Sequence, residues 1–63
     1  MIILKNGYVA VVLEGKDGQK RARYRAPGEM INPLRERIVE IKIFDRPSEA
    51  ITNVNDYMKK YDL

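Results

Sequence analysis

Tyr8-Val9-Ala10-Val11-Val12-Leu13-Glu14, then Gly15-Lys16-Asp17-Gly18, then Gln19-Lys20-Arg21-Ala22-Arg23-Tyr24-Arg25 is the stretch on which the fold turns. The first segment is rich in β-branched residues and has no helix cap before it, so it reads as a strand. The Gly-rich segment reads as a hairpin turn, and the third returns as the partner strand. With Asp17-Gly18 as a two-residue turn, Leu13 falls opposite Ala22 and Val11 opposite Tyr24. Directly opposed side chains share a face. One face of the hairpin is then Val9, Val11, Leu13, Ala22 and Tyr24, and the other is Tyr8, Ala10, Val12, Glu14, Arg21, Arg23 and Arg25. On this reading Glu14 pairs with Arg21 across the hairpin. A four-residue loop preserves this division, whereas a three-residue loop with a bulge upsets it.

Outward from the hairpin, Met1 to Leu4 is a short apolar run and Lys5-Asn6-Gly7 carries a strong turn signal. Ala26-Pro27-Gly28 breaks the return strand, and residues 26–33 read as a loop. The segment Leu34 to Phe44 has two readings. Val39, Ile41 and Ile43 alternate with Glu40 and Lys42 as in a half-buried strand, and five of the seven residues from Ile38 to Phe44 are β-branched or aromatic. Against this, Asn32-Pro33 is a good helix start, and Leu34, Ile38 and Ile41 fall on one helical stripe. The strand is the expectation and the helix its alternative. At the C-terminal end, Ser48 is placed to cap a helix in which Ile51, Val54, Met58 and Tyr61 recur at steps of three and four, with Ala50 and Tyr57 widening the stripe. Glu49 near its start and Lys59 and Lys60 near its end suit the helix dipole. The expected fold is one α+β domain over residues 1–63, with three to four antiparallel strands in β-hairpins and a C-terminal helix packed on one face of the sheet.

Composition narrows function mainly by what is missing. The 63 residues include no Cys, His or Trp, which removes thiol nucleophiles, disulfides, thiolate metal sites and the commonest general base. Glu36 and Glu40 form a weak carboxylate pair, and Gly15, Gly18 and Gly28 match no phosphate-loop spacing. No catalytic residue, cofactor or metal site is expected, and the chain does not read as an enzyme. Hydrophobic residues at 44% and charged residues at 33% suit a folded chain better than a disordered tail. No apolar run approaches the roughly 20 residues of a membrane span. Met1 to Leu4 is too short for an export signal, and the expected location is cytoplasmic. A chain this small buries only about 60% of its unfolded surface, so a homodimer is expected as a way of burying more.

The formal charge of +3 is unevenly spread, with nine basic and five acidic residues between Gly15 and Arg46. Arg21, Arg23 and Arg25 stand out. Alternation puts their guanidinium groups on one face at about 6.6 Å intervals, close to the repeat of phosphates along a nucleic-acid strand, and each offers planar bidentate donors. Tyr8 is expected on the same face, placed to stack on a base. Lys42 is expected to extend the patch, together with Arg35, Arg37 and Arg46, although Arg35 and Arg37 have Glu36 and Glu40 beside them for ordinary surface pairing. The expected function is binding of DNA or RNA through this face. The competing expectations are a solvated outer face, or a protein-interaction or inhibitor module steered by its charge.

Two local resemblances bear on the same class. Arg46-Pro47-Ser48-Glu49-Ala50-Ile51 resembles the start of the second helix in ribbon-helix-helix repressors, with Arg21 to Arg25 similar to their DNA-reading strand, and this requires residues 34–44 to be helical. Val12-Leu13, Gln19, Arg21 and Ala26-Pro27 with Glu29 look similar to the middle of the carbon storage regulator family of RNA-binding repressors. Neither assigns a family. Both imply a small dimeric nucleic-acid-binding regulator.

Overall fold

The hairpin closes through three residues rather than two. In the computed structural model, which describes residues 2–3, 6–32 and 34–63, the Gly18 amide donates to Gly15 O at 3.0 Å and the Gly15 amide donates to Gln19 O at 3.0 Å. Gly18 takes a positive φ of 81°, and Asp17 Oδ1 accepts the Gln19 amide at 3.0 Å. This is a turn followed by a left-handed residue and a bulge, a loop that Asp-Gly serves as readily as the two-residue turn. The strands β2 (Tyr8–Gly15) and β3 (Lys20–Arg25) are therefore one step off the expected register. Val12 faces Ala22, Val11 faces Arg23 and Ala10 faces Tyr24.

That step exchanges the faces of β3 relative to β2. Ala22 and Tyr24 join Ala10 and Val12, while Arg21, Arg23 and Arg25 join Val9, Val11 and Leu13. The helix packs against Ala10, Val12 and Ala22, the face assigned to solvent on β2 by the two-residue turn. The opposite face, with Val9 and Val11 fully buried, is covered from its other side by Ile31. The sequence expectation of a single buried face thus gives way to a sheet buried on both, which is why Val9 to Leu13 is a continuous apolar run. The Glu14–Arg21 pair does not form, because the two now lie on different faces. Glu14 instead meets Lys20 at 3.4 Å and Arg37 at 2.8 Å.

The third strand of the sheet, β5 (Glu36–Phe44), confirms the strand reading of this segment and excludes the helix required by the ribbon-helix-helix resemblance. The strand order is β3-β2-β5, all antiparallel. Between Val12 and Leu13 the pairing jumps from Glu40 to Ile38, leaving Val39 as the extra residue of a bulge. Consequently Ile38 packs with Val9, Val11 and Leu13, whereas Val39 packs on the helix side. Ile41 and Ile43, expected to share a buried face with Val39, are 40% and 63% exposed.

Two short strands, β1 (Ile2–Ile3) and β4 (Met30–Ile31), form a separate antiparallel ribbon. The N-terminal strand therefore pairs with a segment expected to be loop, and not with β2 across Asn6-Gly7. Met1, Leu4, Lys5 and Pro33 lie outside the described residues.

The helix α1 (Pro47–Lys60) starts one residue before the expected Ser48 cap. Arg46, in extended conformation, is the cap position and makes no side-chain capping bond, and Pro47 occupies the first turn, where its missing N–H costs nothing. Ala50, Val54 and Tyr57 are buried against the sheet, with Tyr61 partly buried beside them. The stripe is rotated from the expected one, leaving Ile51 and Met58 48% and 37% exposed.

Candidate nucleic-acid interface

The arginine row sits on an edge strand, on the face turned away from the helix. Arg21, Arg23 and Arg25 lie opposite Leu13, Val11 and Val9, so their stems run beside apolar neighbours. Arg21 is held by Asp17, Nη2 to Oδ2 at 3.2 Å. Arg23 and Arg25 have no carboxylate within salt-bridge distance among the described residues. Each folds back on its own strand, Arg23 Nη1 donating to Ala22 O at 3.5 Å and Arg25 Nη1 donating to Tyr24 O at 3.1 Å. A guanidinium carries five N–H donors, so most remain available on both.

The row continues at the hairpin tip. Gly15 lies opposite Glu36, which brings the turn before β5 against the β2–β3 loop and creates a shallow depression lined by Gly15, Lys16, Asp17, Arg21, Arg35 and Glu36. Lys16 and Arg35 have no ion partner among the described residues. Asp17 is drawn into local structure, its carboxyl held below the ordinary 3.8 first by the Gln19 amide and also by Arg21. Lys16 gains functional interest only through the β2–β5 pairing, which sets it beside Arg35 and which sequence spacing does not reveal.

The other expected site residues are elsewhere. Tyr8 lies on the helix face and stacks on Tyr24, ring centroids 6.4 Å apart and 13° from parallel. Lys42, paired with Ala10, is also on that side, with its Nζ 5.5 Å from the Phe44 ring centroid. Arg37 donates to Glu14 through Nε and Nη2 at 3.2 and 2.8 Å, and its guanidinium holds the Glu14 carboxyl below the ordinary 4.5. The structure thus keeps the three arginines together, separates Tyr8 and Lys42 from them, brings the expected Arg35 to the end of the row and adds Lys16.

A second depression lies on the helix flank, lined by Phe44, Ser48, Glu49, Thr52, Asn53 and Asp56. Its carboxylates suit no phosphate. No cluster of three or more acidic side chains able to hold a metal occurs among the described residues, and no helix among them is long and apolar enough to cross a membrane. No protein-family model, curated protein or solved structure matches the chain.

Proposed function

We propose that this protein binds the phosphate backbone of nucleic acid, with little regard to sequence, through Arg25, Arg23 and Arg21 and the hairpin-tip cations Lys16 and Arg35. The observation that carries the reading is the pair Arg23 and Arg25, adjacent on one face of an edge strand with no carboxylate within salt-bridge distance among the described residues. A phosphate chain repeats on the scale of this row's spacing of about 6.6 Å and accepts bidentate donors. The proposal involves binding alone, with no catalysis, cofactor or metal. Base stacking by Tyr8 is not part of it, since Tyr24 and the helix side occupy that ring.

The test is fluorescence anisotropy of labelled duplex DNA, single-stranded DNA and RNA, titrated from low to physiological salt. Binding is expected at micromolar concentration or tighter in low salt, its logarithm falling linearly with log salt. Changing Arg23 and Arg25 together to Ala should reduce the slope on duplex DNA by about 1.8, at about 0.9 for each phosphate no longer neutralised. Absence of binding at low salt, or a slope untouched by the double substitution, overturns the reading. The preferred form separates a DNA role from an RNA one.

A protein-docking reading has its own specific support in the outer edge of β5, which pairs with no strand among the described residues and where Ile41 and Ile43 are exposed.

A further inference from the structure

The two free edges of the sheet differ. The Gly15 amide bonds toward β3, and antiparallel alternation then directs the backbone groups of Val9, Val11 and Leu13 toward β3 and those of Tyr8, Ala10 and Val12 toward β5. On β3 this leaves the carbonyls of Ala22 and Tyr24 on the outer edge, where the guanidinium groups of Arg23 and Arg25 bond to them. That edge is closed by its own side chains, a recognised protection against edge pairing. On β5 the residues facing β2 are Phe44, Lys42 and Glu40, so Ile41 and Ile43 direct their N–H and C=O groups outward. No side chain bonds to them among the described residues.

The sequence of β5 and the two residues after it reads Glu36-Arg37-Ile38-Val39-Glu40-Ile41-Lys42-Ile43-Phe44-Asp45-Arg46. Laid antiparallel on itself about Ile41, the residues flanking the centre meet their complements, and the ladder ends at the Val39 bulge. Ile41 faces Ile41, and Glu40 faces Lys42 on each side of it, all within the regular part of β5 between the bulge and Phe44. Moving the dyad one residue toward the N-terminus sets Glu40 on Glu40, and one residue toward the C-terminus sets Lys42 on Lys42. Charge therefore selects the register centred on Ile41, since like charges directly opposed are destabilising. Within one protomer Lys42 has no carboxylate within salt-bridge distance among the described residues. Glu40 already accepts from Lys60 and Tyr61, but a carboxylate has about four acceptor positions, and its side chain is 34% exposed.

We infer that the β5 edge docks a second copy of this chain, antiparallel about Ile41, extending the two three-stranded sheets into one of six strands. Ile41 exchanges both backbone hydrogen bonds with its symmetry mate, Lys42 of each copy meets Glu40 of the other, and the exposed Ile41 and Ile43 side chains are covered. The arginine rows end on the two outermost strands, about 24 Å apart at the usual strand spacing, so dimerisation leaves the proposed phosphate surface free. The inference stands independently of nucleic-acid binding.

Sedimentation velocity, or size-exclusion chromatography with light scattering, should give twice the 7.3 kDa of the single chain. Glu40→Lys alone and Lys42→Glu alone should each raise the dimer dissociation constant at least about tenfold, a cost of about 1.4 kcal/mol. An equimolar mixture of the two variants should recover a dimer, identified as the heterodimer by native mass spectrometry, because each then offers the charge that the other lacks. Ile41→Pro, which removes an outward N–H not used within the protomer, should abolish the dimer with circular dichroism unchanged. Should Glu40→Lys fail to fold without its Lys60 partner, Lys42→Glu and Ile41→Pro decide the matter. A wild-type monomer at the highest soluble concentration, or a dimer indifferent to Lys42→Glu and Ile41→Pro, overturns the inference.

Discussion

Val11 lies directly opposite Arg23 in the β2–β3 ladder, and this pairing turns the arginine row away from the helix. The pairing depends on the loop that closes the hairpin. Because side chains alternate along a strand, a loop shorter by one residue would carry Arg21, Arg23 and Arg25 to the helix side and Ala22 and Tyr24 away from it.

Gly18 is the residue that fixes this loop, and its substitution has a calculable cost. Its φ is 81° and a Cβ there would meet nothing within 4 Å, so Gly18→Ala should lose about 1 kcal/mol from backbone strain alone. Gly18→Asn should lose less, because Asn tolerates the left-handed region. Gly7 is a contrasting case. Its φ is 79°, and a Cβ would sit 2.6 Å from Ile43 Cγ2 and 2.9 Å from Phe44 O, so Gly7→Ala should cost about 2 to 4 kcal/mol by adding a clash to the strain. Urea denaturation of the three variants gives the order; equal losses at Gly7 and Gly18 would show that the clash is relieved at no cost.

The helix makes an equally sharp distinction. Val54 is 7% exposed and Ile51 is 48% exposed, although the sequence periodicity places both on the apolar stripe. Val54→Ala should destabilise by about 2 kcal/mol through reduced burial and a residual cavity. Ile51→Ala should stay within about 0.5 kcal/mol of the parent. A comparable loss at both sites, measured by denaturation, would mean that the helix is rotated from its position here.

The elements were legible where composition and period agreed. The β-branched run at Tyr8 to Glu14, the return strand, the strand within residues 34–44 and the C-terminal helix all follow from residue type. What escaped were relations fixed by one-residue offsets between elements. Asp17-Gly18 is compatible with two loop lengths, and the choice between them inverts a whole face. The bulge at Val39 likewise breaks an alternation that the sequence shows as regular. Since β2 is apolar at every position from Val9 to Leu13, nothing in it betrays which face the helix covers. The arginine row survived as a row because parity within one strand is immune to register, whereas the expected association of Tyr8 with it required parity between two strands and did not survive.

That partition is testable through salt dependence. Lys16→Ala and Arg35→Ala should each reduce the salt slope by about 0.9 on duplex DNA or about 0.7 on single strands. Lys42→Ala and Tyr8→Phe, on the helix side, should leave the slope unchanged. A fall with Lys42→Ala as large as with Arg35→Ala would place the nucleic acid on the helix face instead.

Glu40 governs the pH response of the packing between β5 and the end of the helix. It accepts from Lys60 Nζ at 3.1 Å on both oxygens and from Tyr61 Oη at 2.9 Å. The Lys60 ammonium, followed by the Tyr61 hydroxyl, holds the Glu40 carboxyl below the ordinary 4.5. The same interactions raise Lys60 above 10.5 and Tyr61 above 10.0, Glu40 being the first cause in each case. A depressed carboxyl contributes stability that is complete above its unfolded value and disappears as pH falls through its folded one. The raised pair contributes stability that is complete below the ordinary values and disappears as pH climbs through the raised ones. The melting temperature should therefore be level at neutral pH and fall on both sides, below pH 4.5 and above pH 10.0. Glu40→Gln should flatten part of both limbs, leaving on the acid side the shares due to Glu14, which Arg37 holds down, and to Asp17, which the Gln19 amide and Arg21 hold down. These groups are solvent-accessible, so the difference between parent and variant should be small and should shrink further in high salt. Thermal melts across this range, at low and high ionic strength, measure it. A Glu40→Gln variant with unaltered limbs at low salt would show that the bonding of Glu40 to Lys60 and Tyr61 contributes nothing to the folded state.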